Sequence, residues 1–318
     1  MIVEQPRKWR WGKYRWFLLL FIILGIILAR YFPPLMPHIQ LPAEPLVPLF
    51  GSFSLTNTMV AMLIADVILL LIGWRVYRTV SGGELIPKGI TGTVEALLEV
   101  LFNLTESTAG KWAKTIFPFF ATITLLVLVV NWTELIPGVD SIGIFNAHHV
   151  EAPETCKFNE VVPDVMVVSG KKECARAIVP FVRVTSTDLN FTVALALIAV
   201  TMTQVIGIRA QGGTYFKKFI NTSTFFSKPI FGVIDFGVGL LEMVSEFSKV
   251  LSFSFRLFGN IFAGSVLLFV IGSLVPVFAQ SMFLMLEFFV GLIQAIVFGM
   301  LTMVFMSQAT QGHAGGQH

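Results

Sequence analysis

Among the residues able to do chemistry in this sequence, Arg256 is the most demanding. It sits in Leu251-Ser252-Phe253-Ser254-Phe255-Arg256-Leu257-Phe258-Gly259-Asn260, within an apolar stretch running from Val250 to Val270. A guanidinium cannot shed its proton to escape an apolar medium. An arginine at such a depth must therefore face water or an anionic partner, and no acid lies within one helical turn of it. The plainer reading, a side chain snorkelling from a helix end, fits poorly with a position so far inside the stretch. Asp235, Glu242, Lys249 and Arg256 recur every seven residues, which puts them on roughly one helical face. Glu246 lies four residues after Glu242 and three before Lys249, so a local ion pair is the structural alternative for all three. Asn260 follows one turn after Arg256, and Gly259, Ala263 and Gly264 leave space for another helix to pass close by.

A second group lies further along. Glu287 and Gln294 are again seven residues apart and share a face; a buried carboxyl there can take up and release protons. Ser265 and Gln294 would complete a hydrogen-bonding lane, although a lone buried glutamine also serves as glue between helices. In Thr185-Ser186-Thr187-Asp188-Leu189-Asn190, Asp188 is either a helix cap or a group at a channel mouth. Cys156 and Cys174 are the only cysteines. On an oxidising side they could pair and staple their loop, and two free thiols are the other reading; either role is structural. His38, His148, His149, His313 and His318 all fall outside the apolar stretches, so haem ligation inside a bundle has no ligands. Neither zinc-site spacing nor a GxxxxGK[ST] loop is present. No cofactor or metal is expected, and the chain is not expected to bind or hydrolyse ATP itself.

The elements that must position these residues are membrane helices. Hydrophobic residues make up 55% of the chain and charged ones 13%, against about 25% charged in a soluble domain. Runs near the roughly 20 residues needed to span hydrocarbon occur at about 16–32, 57–77, 116–136 and 188–208, with longer runs at 229–273 and 276–307. At about 1.5 Å per residue the last would reach roughly 50 Å as a helix, so the expected fold is all-α, with five to six membrane helices. The final two are expected to be long and strongly tilted and to form a hairpin. The first run has a rival reading as a signal peptide, but no clear small-x-small cleavage site follows it.

Charge fixes the expected orientation. Lysines and arginines cluster before the first run, after the second (Arg75, Arg78, Lys88) and after the fourth (Arg209, Lys217, Lys218, Lys228), which marks those segments as cytoplasmic. The net charge of +3 is therefore topological, not a nucleic-acid footprint. Between Gly89 and Lys114, Val94, Leu97, Leu98, Leu101, Phe102 and Leu104 form an apolar stripe against Glu95, Glu99, Asn103 and Glu106, the pattern of an amphipathic helix at an interface. The expected organisation is a basic N-terminal part with a Pro-rich external segment (1–54), a membrane domain (55–307) with an external loop at about 138–184, and a disordered cytoplasmic tail (308–318).

Ser254-Phe255-Arg256-Leu257-Phe258-Gly259-Asn260, followed by Ala263-Gly264 and by Gly291-Leu292-Ile293-Gln294-Ala295, resembles subunit a of bacterial F-type ATP synthases. The likeness extends to Ser186-Thr187-Asp188-Leu189-Asn190, to Trp132-Thr133-Glu134-Leu135-Ile136-Pro137, and to Leu241-Glu242 with Ser245 and Lys249, over roughly 55–307. The resemblance implies a proton-translocating stator subunit in a bacterial inner membrane, with its C-terminus cytoplasmic. Its implied partners are a ring of proteolipid c subunits, peripheral-stalk b subunits and lipid. By the same resemblance Arg256 faces the ring carboxylates and separates two half-channels. Asn260, Gln294 and Glu287 belong to the proton path, and Asp188, Asn190, Glu242, Ser245, Lys249 and Ser265 line or support it. The family often has an acid or histidine where this chain has Ser265, a departure that leaves Glu287 as the acid of the outer relay. The alternatives are a stand-alone secondary transporter or channel, against which the chain shows no internal repeat, and a structural anchor in which Arg256 is replaceable.

Overall fold

The computed structural model describes residues 43–50, 53–82, 89–136, 143–145, 159–162, 165–167, 178–219, 229–274 and 278–311, with scattered positions between 16 and 27. Among the described residues the fold is carried by the helices α1 (Asn57–Ser81), α2 (Ile90–Ala109), α3 (Ala113–Trp132), α4 (Leu189–Gln211), α5 (Pro229–Leu274) and α6 (Phe278–Thr310). Five helical stretches among the described residues are long and apolar enough to cross a membrane, α2 and α3 together forming one of them. Helices dominate because hydrocarbon offers no partner to a backbone N–H or C=O, so each segment must satisfy its own.

Gly237 and Gly239 do not interrupt α5, which is a single helix of 46 residues, roughly 69 Å long at about 1.5 Å per residue. The last helix, α6, has 33 residues and ends at Thr310, three residues beyond the run read from hydropathy. Its last turn is tied to α4, since Gln211 Nε2 donates to the Ala309 carbonyl at 2.8 Å. The break between α2 and α3 falls at Gly110, whose φ of +51° lies in the left-handed region, open to glycine without steric cost. On α2 the apolar positions Val94, Leu97, Leu98, Leu101, Phe102 and Leu104 are partly or fully buried, whereas Glu95, Glu99, Asn103 and Glu106 are exposed.

Short strands add to the all-α expectation outside the helices. Pro45–Phe50 (β1) pairs antiparallel with Phe53–Thr56 (β2) just before α1. Between α3 and α4, Gly143–Phe145 (β3) pairs with Ile178–Pro180 (β6), and Asn159–Val162 (β4) with Val165–Val167 (β5). Such two-stranded ladders leave open edges, which water can satisfy and lipid cannot. Cys156, Cys174 and the tail from residue 312 lie outside the described residues, as does most of the first apolar run. Of that run, Trp16, Phe17, Leu19, Leu20, Ile23, Leu24 and Ile27 are helical and exposed.

Among the described residues two clusters hold the helices together. One joins Val127 and Leu128 of α3, Ala196 and Ala199 of α4, Phe253 and Leu257 of α5, and Ala295 and Phe298 of α6. The other joins Leu101 of α2, Ile116 and Phe120 of α3, Ile206 of α4, and Met303 and Met306 of α6. Apolar helices gain little by leaving lipid for each other, so close packing through small residues must hold them. Ala196, Ala199 and Ala295 are fully buried. A Cβ on Gly299 of α6 would overlap the Thr124 hydroxyl of α3 and crowd the Phe120 ring. Gly299→Ala is therefore expected to lower the thermal midpoint of the detergent-solubilised chain, by the equivalent of about 1–3 kcal/mol. Gly237→Ala, where an added Cβ meets nothing within 4 Å, is expected to leave that midpoint within about 0.5 kcal/mol.

Candidate functional site: a polar lane across the helix pair α5 and α6

Helices α5 and α6 run antiparallel and touch through side chains at successive levels. Nearest the connection, the Gln280 amide lies 3.4 Å from where a Cβ on Gly272 would stand. One level on, Gly264 lets the Glu287 carboxyl rest directly against the α5 backbone, since a Cβ there would overlap both carboxyl oxygens. Glu287 is 6% exposed, and its Oε1 makes no hydrogen bond among the described residues. Next, Asn260 Nδ2 donates to Gln294 Oε1 at 2.7 Å, while Gln294 Nε2 is buried without a partner among those residues. Arg256 follows one turn later on α5.

Arg256 is exposed along with Phe255, Gly259, Asn260 and Ala263, and it makes neither an ion pair nor a hydrogen bond among the described residues. In a helix that crosses hydrocarbon, this is an open face with a fixed positive charge and little bulk beside it. Lys249, seven residues earlier, is not its equivalent. Its ammonium pairs with Glu246 Oε1 at 2.8 Å and stands 4.7 Å from the centre of the Phe305 ring on α6. The local ion pair weighed as the structural alternative thus exists for Lys249. Glu242 is half-buried and Ser245 exposed on the same part of α5, and the side chain of Asp235 lies outside the described set.

The structure adds an acid that spacing did not single out. Glu134 sits in a 3₁₀ turn at the end of α3, is 8% exposed, and accepts a hydrogen bond from Ser265 of α5. The Ser265 hydroxyl also lies 3.0 Å from the Ile261 carbonyl, so one hydroxyl hydrogen serves two acceptors. Ser265 and Gly264 are adjacent, and the Glu287 carboxyl lies on Gly264. Two carboxyls from different helices thus approach one short stretch of α5. The available signal was an acid at the end of a membrane run, inside a motif already noted for its likeness to the family. What it bonds to, 131 residues away, follows only from the packing.

A hydrogen-bonded belt fixes this end of the bundle. Asp188 caps α4, its Oδ1 accepting from the Asn190 backbone N–H at 2.9 Å, and its Oδ2 accepts from the Thr58 hydroxyl of α1 at 3.0 Å. The Thr185 hydroxyl donates to the Thr58 carbonyl at 3.2 Å. Ser186 donates to Asn131 Oδ1 at 2.7 Å, and Asn131 Nδ2 donates to the Gly291 carbonyl of α6 at 3.3 Å. Asp188 therefore does the work of a cap, while the Asn190 side chain is exposed. Near Lys249, a recess of about 370 Å³ opens between α4 and α5, lined by Gln204, Tyr215, Glu246, Phe247 and Val250 among others. Tyr215 donates its hydroxyl hydrogen to Gln204 Oε1 across 2.6 Å there.

Comparison with known proteins bears on the family. The family described as ATP synthase A chain matches residues 59–307. "ATP synthase subunit a" of Geotalea uraniireducens is 25% identical over 176 residues, covering 55% of each chain. "ATP synthase subunit a 1" of Syntrophotalea carbinolica is 29% identical over 135 residues, 42% of this chain and 39% of the relative. "ATP synthase subunit a" of Campylobacter concisus is 28% identical over 183 residues, 57% of this chain and 58% of the relative. The chain thus spans about half the length of these relatives. With the family match extending from α1 to α6 and containing Arg256, Asn260, Glu287 and Gln294, the chain belongs to the ATP synthase A chain family.

Proposed function

We propose that this chain is the stationary, proton-translocating subunit of a membrane ATP synthase, working against a rotating ring of small proteolipid c subunits. The observation that carries this reading is the exposed Arg256, without a partner among the described residues, on a helix with membrane-spanning character. Such a cation needs an anion, and the face beside it is opened by Gly259 and Ala263. A ring carboxyl brought there is favoured as an anion and gives up its proton; it cannot return to lipid until it is protonated again. Two half-channels that end on either side of Arg256 then force each proton to ride the ring. A proton crossing 100 mV releases about 2.3 kcal/mol, which the ring turns into torque.

The outer half-channel reads as Glu134, Ser265 and Glu287, then the Gln294 and Asn260 pair, with Asp188, Asn190 and the belt around Asn131 at its mouth. The inner one follows Glu242, Ser245 and Lys249. In this reading α5 and α6 form a strongly tilted hairpin against the ring, and α2 lies along the cytoplasmic membrane surface with its glutamates in water. Arg75, Arg78 and Arg209 then face the cytoplasm of a bacterial inner membrane, as does the C-terminus. Peripheral-stalk b subunits hold the chain still.

Arg256→Ala is expected to lower ATP-driven proton pumping in inverted membrane vesicles by at least about ten-fold, the equivalent of about 1.4 kcal/mol on the barrier, with the assembly intact. Pumping at the unsubstituted rate would remove Arg256 from the mechanism. Glu134→Gln keeps the shape of the Ser265 contact but abolishes proton exchange at that carboxyl. It is expected to slow pumping about ten-fold while Ser265→Ala has a smaller effect, and an unchanged rate in Glu134→Gln would confine Glu134 to a structural role.

A further inference from the structure

The turn that follows α4 is a built feature that the proton lane does not use. Gly212 leaves α4 at a φ of +62°, and the 3₁₀ turn Gly212–Lys218 folds back over both α4 and α5. The Tyr215 ring lies on Gly207 of α4, where an added Cβ would overlap it, and the Phe219 carbonyl lies on Gly239 of α5, where a Cβ would overlap its oxygen. Tyr215 and Phe219 pack edge to face, their ring centres 5.9 Å apart. Two glycines thus clamp the turn beside the recess of about 370 Å³ between α4 and α5. Val200, Ile208, Phe216, Phe247 and Val250 give that recess an apolar wall. It has one polar demand: Tyr215 occupies Gln204 Oε1, and Gln204 Nε2 is buried without a partner among the described residues. Leaving a buried amide N–H without an acceptor is costly, so the fitting occupant carries one. Glu246, the acid of the wall, is already paired with Lys249. Lys217 and Lys218 stand in the turn between Phe216 and Phe219, both of which line the recess.

We infer that this recess binds one anionic phospholipid, with an acyl chain among the apolar side chains, an ester carbonyl accepting from Gln204 Nε2, and the phosphate at the turn that carries Lys217 and Lys218. Recesses between membrane helices that combine an apolar wall with basic residues suit such headgroups. Other occupants meet only part of the demand. An uncharged lipid brings the chain and the carbonyl but nothing for two lysines, and inorganic phosphate brings charge but leaves the apolar wall empty. A partner helix is too large, since a single turn, about 10 Å across and about 5.4 Å high, already exceeds the volume. The inference does not rest on the proton path. Phe247 lies nine residues before Arg256, which at about 100° per residue puts it on the opposite side of α5, away from the face with the fixed charge.

The test puts the full chain in phosphatidylcholine vesicles doped with phosphatidylglycerol whose acyl chain carries a diazirine, and maps the photoadducts by mass spectrometry. A diazirine-bearing phosphatidylcholine is run beside it. The anionic probe is expected to label recess positions such as Val200, Ile208 and Phe247 at least about five-fold more than the uncharged one. Unlabelled phosphatidylglycerol is expected to compete, and inorganic phosphate is not. Lys217→Gln together with Lys218→Gln is expected to lower the anionic label roughly five- to thirty-fold. Gln204→Leu together with Tyr215→Phe removes both partners of one hydrogen bond while keeping the shape, so the thermal midpoint should hold while the label falls roughly two- to ten-fold. Equal labelling by the two probes would overturn the inference, as would label spread no less densely over the exposed positions of α1 and α6. Competition by inorganic phosphate, or a yield unmoved by either pair of substitutions, would do so as well. The readout is binding alone, so its failure is distinct from a failure of proton pumping.

Discussion

A permanently charged guanidinium on a membrane helix is the constraint from which the rest of this structure follows. Arg256 cannot neutralise itself, and none of the described residues neutralises it. Its surroundings are arranged accordingly: small residues at Gly259 and Ala263 clear one side, while Phe253 and Leu257 bury the other against α4 and α6. The helix is thereby held by its apolar back, leaving the charged front free to meet something else.

That apolar back in turn decides where polar side chains can go. Glu287 fits between α5 and α6 because Gly264 has no side chain, and Asn131 reaches the carbonyl of Gly291, whose own Cβ would crowd it at 3.2 Å. Small residues thus serve two purposes: they bring helices close, and they leave pockets in which amide and carboxyl groups cross from one helix to the next. Interhelical hydrogen bonds in membranes are individually modest, about 0.6 kcal/mol on average. A belt of several, tying α1, α3, α4 and α6 at one end, can still hold the geometry that a proton path would require.

Much of this was legible in the residues themselves. Hydropathy located α1, α3, α4, α5 and α6 to within a few residues, because a membrane helix needs length and apolarity and little else. Arg256 stood out by its cost, Asp188 by its position before an apolar run, Asn260 by its place one turn after Arg256, and Gln294 by its seven-residue spacing from Glu287. What failed to appear were contacts between elements distant in the chain. Seven-residue spacing grouped Lys249 with Arg256 and also offered the local pair with Glu246, which forms; the Phe305 ring beside the Lys249 ammonium comes from α6 and left no trace in the spacing. The Ser265 position read as a missing acid, whereas the acid arrives from α3 as Glu134. The short strands were invisible too, since pairs of three to six residues leave no periodicity to read.

The most direct measurement is the reach between this face and the proposed rotor. With a cysteine replacing Ala263 and another placed beside the essential carboxyl of the ring subunit, mild oxidation of native membranes should link the two chains. If the cysteine at 263 reacts only with a lipid-soluble reagent and never with the ring, however that second cysteine is moved along its helix, Arg256 does not face a rotor acid.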